Sequence, residues 1–135
     1  MKKIYISLLI QLFAAYAFSQ TIAGSEIEPN NTFGTATPIT TNPAKIAGNV
    51  FPNADLDWYS FTASAGDKVF AAVMTSFSSN GSTDAQLRLY ASDGVTVIEF
   101  DEDDGTFGSL SSTIAGATIP TTGTYYLQVK HFLKN

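Results

Sequence analysis

Residues 55–73 read "DLDWYSFTASAGDKVFAAV", and this stretch decides the class of fold. Inside and outside positions alternate in "DWYSFTA" (57–63) and again in "KVFAAVMTS" (68–76), which is the period of a strand with one buried face. Between these two runs, "SAGD" contains a glycine and an aspartate, which favour a tight turn. The stretch therefore predicts two consecutive strands joined by a turn.

Similar runs recur along the rest of the chain, and short turn-forming segments such as "ASDG" and "PTTG" separate them. The further candidate strands are "KIAGNVF" (45–51), "AQLRLYA" (85–91), "VTVIEFD" (95–101), "SSTIAGATI" (111–119) and "TYYLQVKH" (124–131). No stretch after the N-terminus shows the 3.6-residue period of an amphipathic helix. The predicted fold class is all-β, an antiparallel β-sandwich of about seven or eight strands.

The alternation also predicts which side chains face the core of this sandwich. The predicted inward residues are Tyr59, Phe61, Val69, Ala71, Val73, Leu87, Leu89, Tyr125, Leu127 and Val129. Three aromatic residues, Trp58, Tyr90 and Tyr126, fall on the opposite face. If exposed, they could stack on sugars or lie along a polymer such as collagen or a polysaccharide. The alternative is that the N-terminal segment or the second sheet covers them.

The N-terminus has the pattern of a secretory signal peptide. In "MKKIYISLLIQLFAAYAFSQ", two lysines precede an apolar run, and small residues near its end allow cleavage after Ala17 or Ser19. A retained membrane helix is the alternative, but it needs about 20 apolar residues and Gln11 interrupts the run. The predicted domains are a signal peptide (1–19), a polar segment packed on the sandwich (20–43), the β-sandwich (44–131) and a truncated chain end (132–135).

Composition restricts the possible partners of the exported chain. Its 135 residues suffice for one domain of modest size. The whole chain has seven basic and twelve acidic residues, so removal of Lys2 and Lys3 leaves five against twelve, a net charge of -7. Such a chain is poorly suited to nucleic acid, and no membrane contact is expected after signal cleavage. The absence of cysteine excludes disulfides, thiol catalysis and thiolate metal sites.

The sequence offers little for catalysis, and we expect the chain not to be an enzyme. His131 is the single histidine, it lies four residues from the end, and no G-x-S-x-G motif is present. Asp55 and Asp57 stand two residues apart at a strand start, which does not form the cleft of a glycosidase. A small hydrolase using His131 is the least favoured alternative.

Oxygen-rich side chains cluster in two places and suggest a calcium site. "EIEPNN" (26–31) supplies Glu26, Glu28, Asn30 and Asn31, and "NADLDWY" (53–59) supplies Asp55 and Asp57. Ca²⁺ takes about six to eight oxygen ligands from carboxylates, amides and backbone carbonyls. The alternative is a solvated turn and a strand-capping aspartate. The acidic run Asp101–Asp104 does not fit an EF-hand loop, and we predict a solvated hairpin tip, with a weak second cation site as the alternative.

The order of these motifs adds a family resemblance. "EPNNTFGTATPI", "IAGNV", "ADLDWYSFTASAGDKVFAAV", "DAQLRLYASDG", "DEDDG" and "TGTYYLQV" together resemble the bacterial pre-peptidase C-terminal domain, a family that includes the collagen-binding modules of clostridial collagenases. The resemblance covers residues 26–130. It implies a secreted, jelly-roll-like, non-catalytic domain attached to a peptidase or another extracellular enzyme absent from this chain.

The resemblance also implies a ligand set for calcium, carried over position by position. It comprises Glu26, Glu28, Asn30, Asn31, Asp55 and Asp57. Family members commonly carry aspartate where this chain has Asn31, which lowers the expected affinity. The predicted function is a calcium-stabilised accessory domain that aids export, folding or substrate targeting of its enzyme. The alternative is a stand-alone adhesive or polymer-binding module that uses Trp58, Tyr90 and Tyr126.

Overall fold

The computed structural model describes residues 22–50, 52, 54–75, 84–103 and 110–132. The predicted signal peptide and the last three residues of the chain lie outside this part. The described part contains these strands: β1 (Ile22–Ser25), β2 (Thr37–Pro38), β3 (Lys45–Ala47), β4 (Leu56–Ala63), β5 (Lys68–Val73), β6 (Ala85–Tyr90), β7 (Val97–Asp101), β8 (Ser112–Thr118) and β9 (Gly123–His131). A single 3-10 turn, Phe33–Thr35, precedes β2.

The strands form one large sheet and two strand pairs. The large sheet has the order β2-β4-β9-β6-β7, and the pairs are β5-β8 and β1-β3. All pairings from β4 onward are antiparallel, whereas β1-β3 and β2-β4 are parallel. The β-sandwich predicted from the sequence is confirmed. Two features were not anticipated: the two parallel pairings, and the presence of β2 from the polar segment in the large sheet.

The core lies between the inner face of the large sheet and the β5-β8 pair. Its fully buried members come from both layers: Leu87, Leu89, Ile114, Ala117, Ile119 and Tyr125. Partly buried side chains complete it, among them Phe61, Val69, Ala71, Val73, Leu127 and Val129. Nine of these twelve residues are ones that the alternation places inward, because successive side chains of a strand point to opposite faces. Ile114, Ala117 and Ile119 were not among the predicted inward residues. Burial of apolar area of this kind stabilises the fold by roughly 25 cal/mol per Å².

The described residues contain no helix of the length and apolar character that spanning a bilayer requires.

Candidate metal centre

The centre begins at Asp57, the second residue of β4. Asp57 shares the inner face of this strand with Tyr59 and Phe61, since side chains two residues apart point the same way. Its side chain is only 1% exposed. The next residue ties β4 to the N-terminal segment, because the Trp58 N–H donates to the backbone carbonyl of Asn30 over 3.0 Å. The motif from the polar segment is thereby placed beside the start of β4.

Glu26 reaches this position from the end of β1. Its backbone N–H donates to the Ala47 carbonyl (2.9 Å), which extends the pairing of β1 with β3. Its carboxylate accepts from the Tyr59 hydroxyl (3.0 Å) and from the Asn49 N–H (2.8 Å). A Cβ at Gly48 would lie 2.5 Å from Glu26 Oε2, so only glycine leaves room for this carboxylate. Tyr59, Asn49 and Gly48 support the centre, and their role was not predicted from the sequence.

Glu28 and Asn30 complete the arrangement on the N-terminal segment. The Asn30 N–H donates to Glu28 Oε2 over 3.0 Å, which orients that carboxylate. Asn30 itself is fully buried, and its side-chain nitrogen donates to Thr37 Oγ1 (3.4 Å). Thr37 Oγ1 also accepts from the Ile27 N–H (2.9 Å). These bonds fix the segment between β1 and β2 against the sandwich.

Carboxylate oxygens of Glu26, Glu28 and Asp57 all lie within 4.8 Å of one another. This crowding, together with burial, raises the pKa of Asp57 from 3.8 to about 8. Burial is the largest cause, and the negative charge of Glu26, Asp55 and Glu28 adds to it. The pKa of the Tyr59 hydroxyl is also raised, first by burial and then by Asp57 and Glu26, so this tyrosine remains a donor.

The donor set fits a hard divalent cation. Two side-chain oxygens, Asp57 Oδ1 and Asn30 Oδ1, are buried and have no hydrogen-bond partner within the described part of the chain. Buried polar atoms normally have a partner, and each exception requires an explanation. Ca²⁺ binds oxygen at about 2.3–2.6 Å, so oxygens on one ion lie up to about 5 Å apart. The three carboxylates and the Asn30 amide oxygen are donors of the kind that Ca²⁺ prefers.

Two of the six predicted ligands, Asn31 and Asp55, are hydrogen-bonded to each other. Asn31 Nδ2 donates to Asp55 Oδ1 over 3.2 Å, and the same oxygen accepts from the Leu56 N–H (3.1 Å). This pair joins the N-terminal segment to the start of β4 beside the three-carboxylate group. The structure therefore brings together Glu26, Glu28 and Asp57, and the Asn31–Asp55 pair lies close enough for the Asp55 charge to act on Asp57.

The acidic run is not the fully solvated tip that the sequence suggests. Asp101 is the last residue of β7, and its Oδ2 accepts from the Thr113 N–H over 2.5 Å. Glu102 is half-buried and accepts from Gln86 Nε2 over 2.8 Å. Asp103 is exposed, and Asp104 lies outside the described residues. The first two acids thus connect β7 to β8 and β6, because backbone and amide donors are available there.

The aromatic residues proposed for polymer binding do not form an open surface, which is the alternative in which another part of the chain covers them. Trp58 is 6% and Tyr90 8% exposed, while Tyr126 is half-buried. Phe33 covers them from the 3-10 turn, with ring centroids 6.1 Å from Trp58 and 5.6 Å from Tyr126. Strand alternation identifies the face of a side chain but not what packs on that face. Polymer binding through these rings stays a prediction, and it would require Phe33 to move.

Comparison with known proteins agrees with the motif order. The family model described as "Bacterial pre-peptidase C-terminal domain" matches residues 55–131, which is more than half of the chain. A probable subtilase-type serine protease of Deinococcus radiodurans is 31% identical over 103 residues, which is 76% of this chain and 14% of the protease. The chain thus spans a small part of that relative's length. It belongs to the bacterial pre-peptidase C-terminal domain family.

Proposed function

We propose that the chain is a secreted, non-catalytic accessory domain that binds one calcium ion and serves an attached extracellular peptidase. The observation that carries the calcium part is the group formed by Glu26, Glu28 and Asp57, whose oxygens lie within 4.8 Å. Ionising three carboxylates this close together is costly because like charges repel, and Asp57 is also removed from water. A divalent cation would supply the positive charge that offsets both costs.

The ligands in this proposal come from two parts of the chain. Glu26, Glu28 and the side-chain oxygen of Asn30 belong to the N-terminal segment, and Asp57 belongs to β4. An ion held by both parts would join the segment to the large sheet. At about 2 mM calcium and a Kd of about 0.1 mM, typical of extracellular modules, the stabilisation is RT ln 21, or about 1.8 kcal/mol.

Family membership and the relative support the accessory role. The relative is a probable subtilase-type serine protease, and this chain corresponds to 14% of its length. In our proposal a peptidase is the attached partner, and the domain aids its export, folding or substrate targeting. The predicted signal peptide gives the route of export, and the proposed location is extracellular.

Thermal unfolding in calcium and in EDTA tests the metal proposal. We expect the wild-type midpoint to be several degrees higher in about 2 mM calcium, since about 1 kcal/mol shifts the midpoint of a domain of this size by roughly 4 °C. Asp57→Asn should abolish most of this difference. Asp103→Asn is the matched control, because it removes one exposed carboxylate elsewhere, and it should respond as the wild type does. Equal wild-type midpoints in calcium and EDTA would exclude the site.

A further inference from the structure

Phe33 is the side chain that covers the aromatic cluster on the outer face of the large sheet. The cluster consists of Trp58, Tyr90 and Tyr126. The ring centroids of Trp58 and Tyr90 lie 4.8 Å apart, and those of Trp58 and Tyr126 lie 6.3 Å apart. Phe33 meets Trp58 and Tyr126 edge to face, a favoured arrangement of aromatic pairs. Its ring remains 43% exposed, so it forms the outermost layer.

The β6-β7 loop leaves space for the Phe33 ring at Gly94. A Cβ at Gly94 would lie 2.5 Å from Phe33 Cγ, so the absence of a side chain at Gly94 makes room for the ring. Gly94 also has a φ of +67°, a conformation that glycine adopts readily. The β6-β7 loop therefore accommodates Phe33 both by its backbone and by its lack of a side chain.

Beneath the cover lies a buried donor without an acceptor. Trp58 Nε1 is buried and has no hydrogen-bond partner among the described residues. The ring of Trp58 is well packed, but this N–H gains nothing from the closed arrangement. Leaving a buried donor unpaired costs roughly 1–3 kcal/mol, and water can satisfy it once the cover is removed. The closed position of Phe33 therefore carries a cost that other bonds must offset.

The bonds that hold Phe33 down belong to the segment that carries the proposed calcium ligands. Phe33 follows Asn30 by three residues, and the Asn30 carbonyl accepts from the Trp58 N–H over 3.0 Å. Thr32 and Thr35 flank Phe33, and their hydroxyl groups hydrogen-bond to each other over 2.9 Å. This bond stabilises the short 3-10 turn that carries Phe33. Asn30 also donates to Glu28. A movement of Glu28 would therefore be transmitted to Phe33 through a short, hydrogen-bonded connection.

We propose that Phe33 is a metal-dependent cover: an ion bound by Glu28 and Asp57 holds the segment on β4 and keeps Phe33 on the aromatic cluster, and loss of the ion uncovers the cluster. This inference rests on the proposed calcium site. Without the ion, the link between Glu28 on the segment and Asp57 on β4 is lost, and the buried oxygens Asp57 Oδ1 and Asn30 Oδ1 have no partner among the described residues. The N-terminal segment then moves away from β4, and Phe33 moves off the aromatic cluster.

The experiment uses Trp58 as its own reporter, because it is the single tryptophan of the chain. Calcium binding is measured by calorimetry, and acrylamide quenching of Trp58 is measured with calcium and with EDTA. We expect low quenching in calcium and a clear increase, with a red-shifted emission, in EDTA. Circular dichroism at the same temperature verifies that the metal-free chain retains its strands.

Two substitutions separate the cover from the metal site. Phe33→Ala should bind calcium like the wild type but show the high quenching in both conditions. Phe70→Ala is the matched control, because Phe70 is 75% exposed on β5, and it should behave like the wild type. If the metal-free chain unfolds, the comparison of Phe33→Ala with the wild type in calcium decides whether Phe33 is the cover.

The outcomes distinguish this inference from the calcium site itself. One outcome is that calorimetry detects calcium binding while Trp58 is quenched equally in calcium and in EDTA, with the chain folded in both. That result would overturn the link between the ion and Phe33 but leave the calcium site standing. Equal quenching of Phe33→Ala and wild type in calcium would overturn the cover. Absence of calcium heat for the wild type would overturn both the site and the coupling.

Discussion

Asp57 lies where an uncharged side chain is favoured, because it is 1% exposed and two glutamates lie beside it. Its pKa is about 8 for these reasons, so near neutral pH the metal-free chain holds a proton on this residue. A proton and a divalent cation are two ways of reducing the same excess of negative charge. The proposed calcium ion therefore competes with a proton, and its binding should weaken as the pH falls below 8.

The first prediction concerns the pH dependence of the metal-free chain. Unfolded Asp57 titrates near 3.8 and folded Asp57 near 8, so the folded state retains a proton that the unfolded state has lost. This stability is fully present below pH 4, decreases as the pH rises to 8, and is lost above it. In EDTA, the wild-type midpoint should fall between pH 5 and 8.5. Asp57→Asn should reduce this dependence, because an amide does not titrate. An equally steep decrease in the variant would contradict the assignment.

Asp57 and Trp58 show what a sequence pattern can and cannot predict at single residues. Period-two alternation from Tyr59 and Phe61 places Asp57 on the inner face, so its burial follows from the same rule. Trp58 is placed on the outer face, and that is also correct. Its 6% exposure depends on Phe33, which is distant in sequence. Long-range packing of this kind has no local signal.

At the level of elements, the long antiparallel strands were predictable and the short parallel ones were not. The strands β4, β5, β6 and β9 each have at least six residues, enough for alternation to be visible. The strands β1 and β2 have four and two residues, and β2 contains Pro38, which lacks a backbone N–H. Their pairing with β3 and β4 holds Glu26 and Glu28 in place. The geometry of the candidate metal centre therefore depends on two strands that are too short to show an alternating sequence pattern.

The second prediction concerns the core formed by β6 and β8. Leu89 is fully buried, and Leu89→Ala should lower the free energy of unfolding by about 2–5 kcal/mol, since it removes buried methyl groups and leaves a cavity. Urea denaturation measures this change. Phe70→Ala on the exposed face of β5 should change the stability by less than about 1 kcal/mol. Similar losses for the two variants would contradict the assigned core.

For the molecule as a whole, the sheet order has a topological consequence. β9 lies between β4 and β6 in the large sheet, and eight residues of β4 pair with it, from Leu56 with Lys130 to Ala63 with Gly123. These partners are far apart in sequence, and such contacts slow folding because long loops must close first. The motifs indicated a sandwich, but not which strand occupies this central position.

The third prediction follows from this order. A chain ending at Thr122 lacks β9, which leaves β4 and β6 without their shared neighbour. It should be unfolded by circular dichroism and be cleaved rapidly by protease, whereas a chain ending at Phe132 should resist. A protease-resistant chain ending at Thr122 would contradict the central role of β9.

The central strand is also the last of the nine described strands in chain order. While residues 123–131 remain inside the ribosome, β4 has no neighbour on the side that β9 will occupy, and Asp57 has no Val129 opposite it. The large sheet cannot then be complete. The antiparallel pairs β4-β9 and β6-β9 therefore form only after residue 131 has been synthesised. The position of one strand thus sets the earliest point in synthesis at which the large sheet can close.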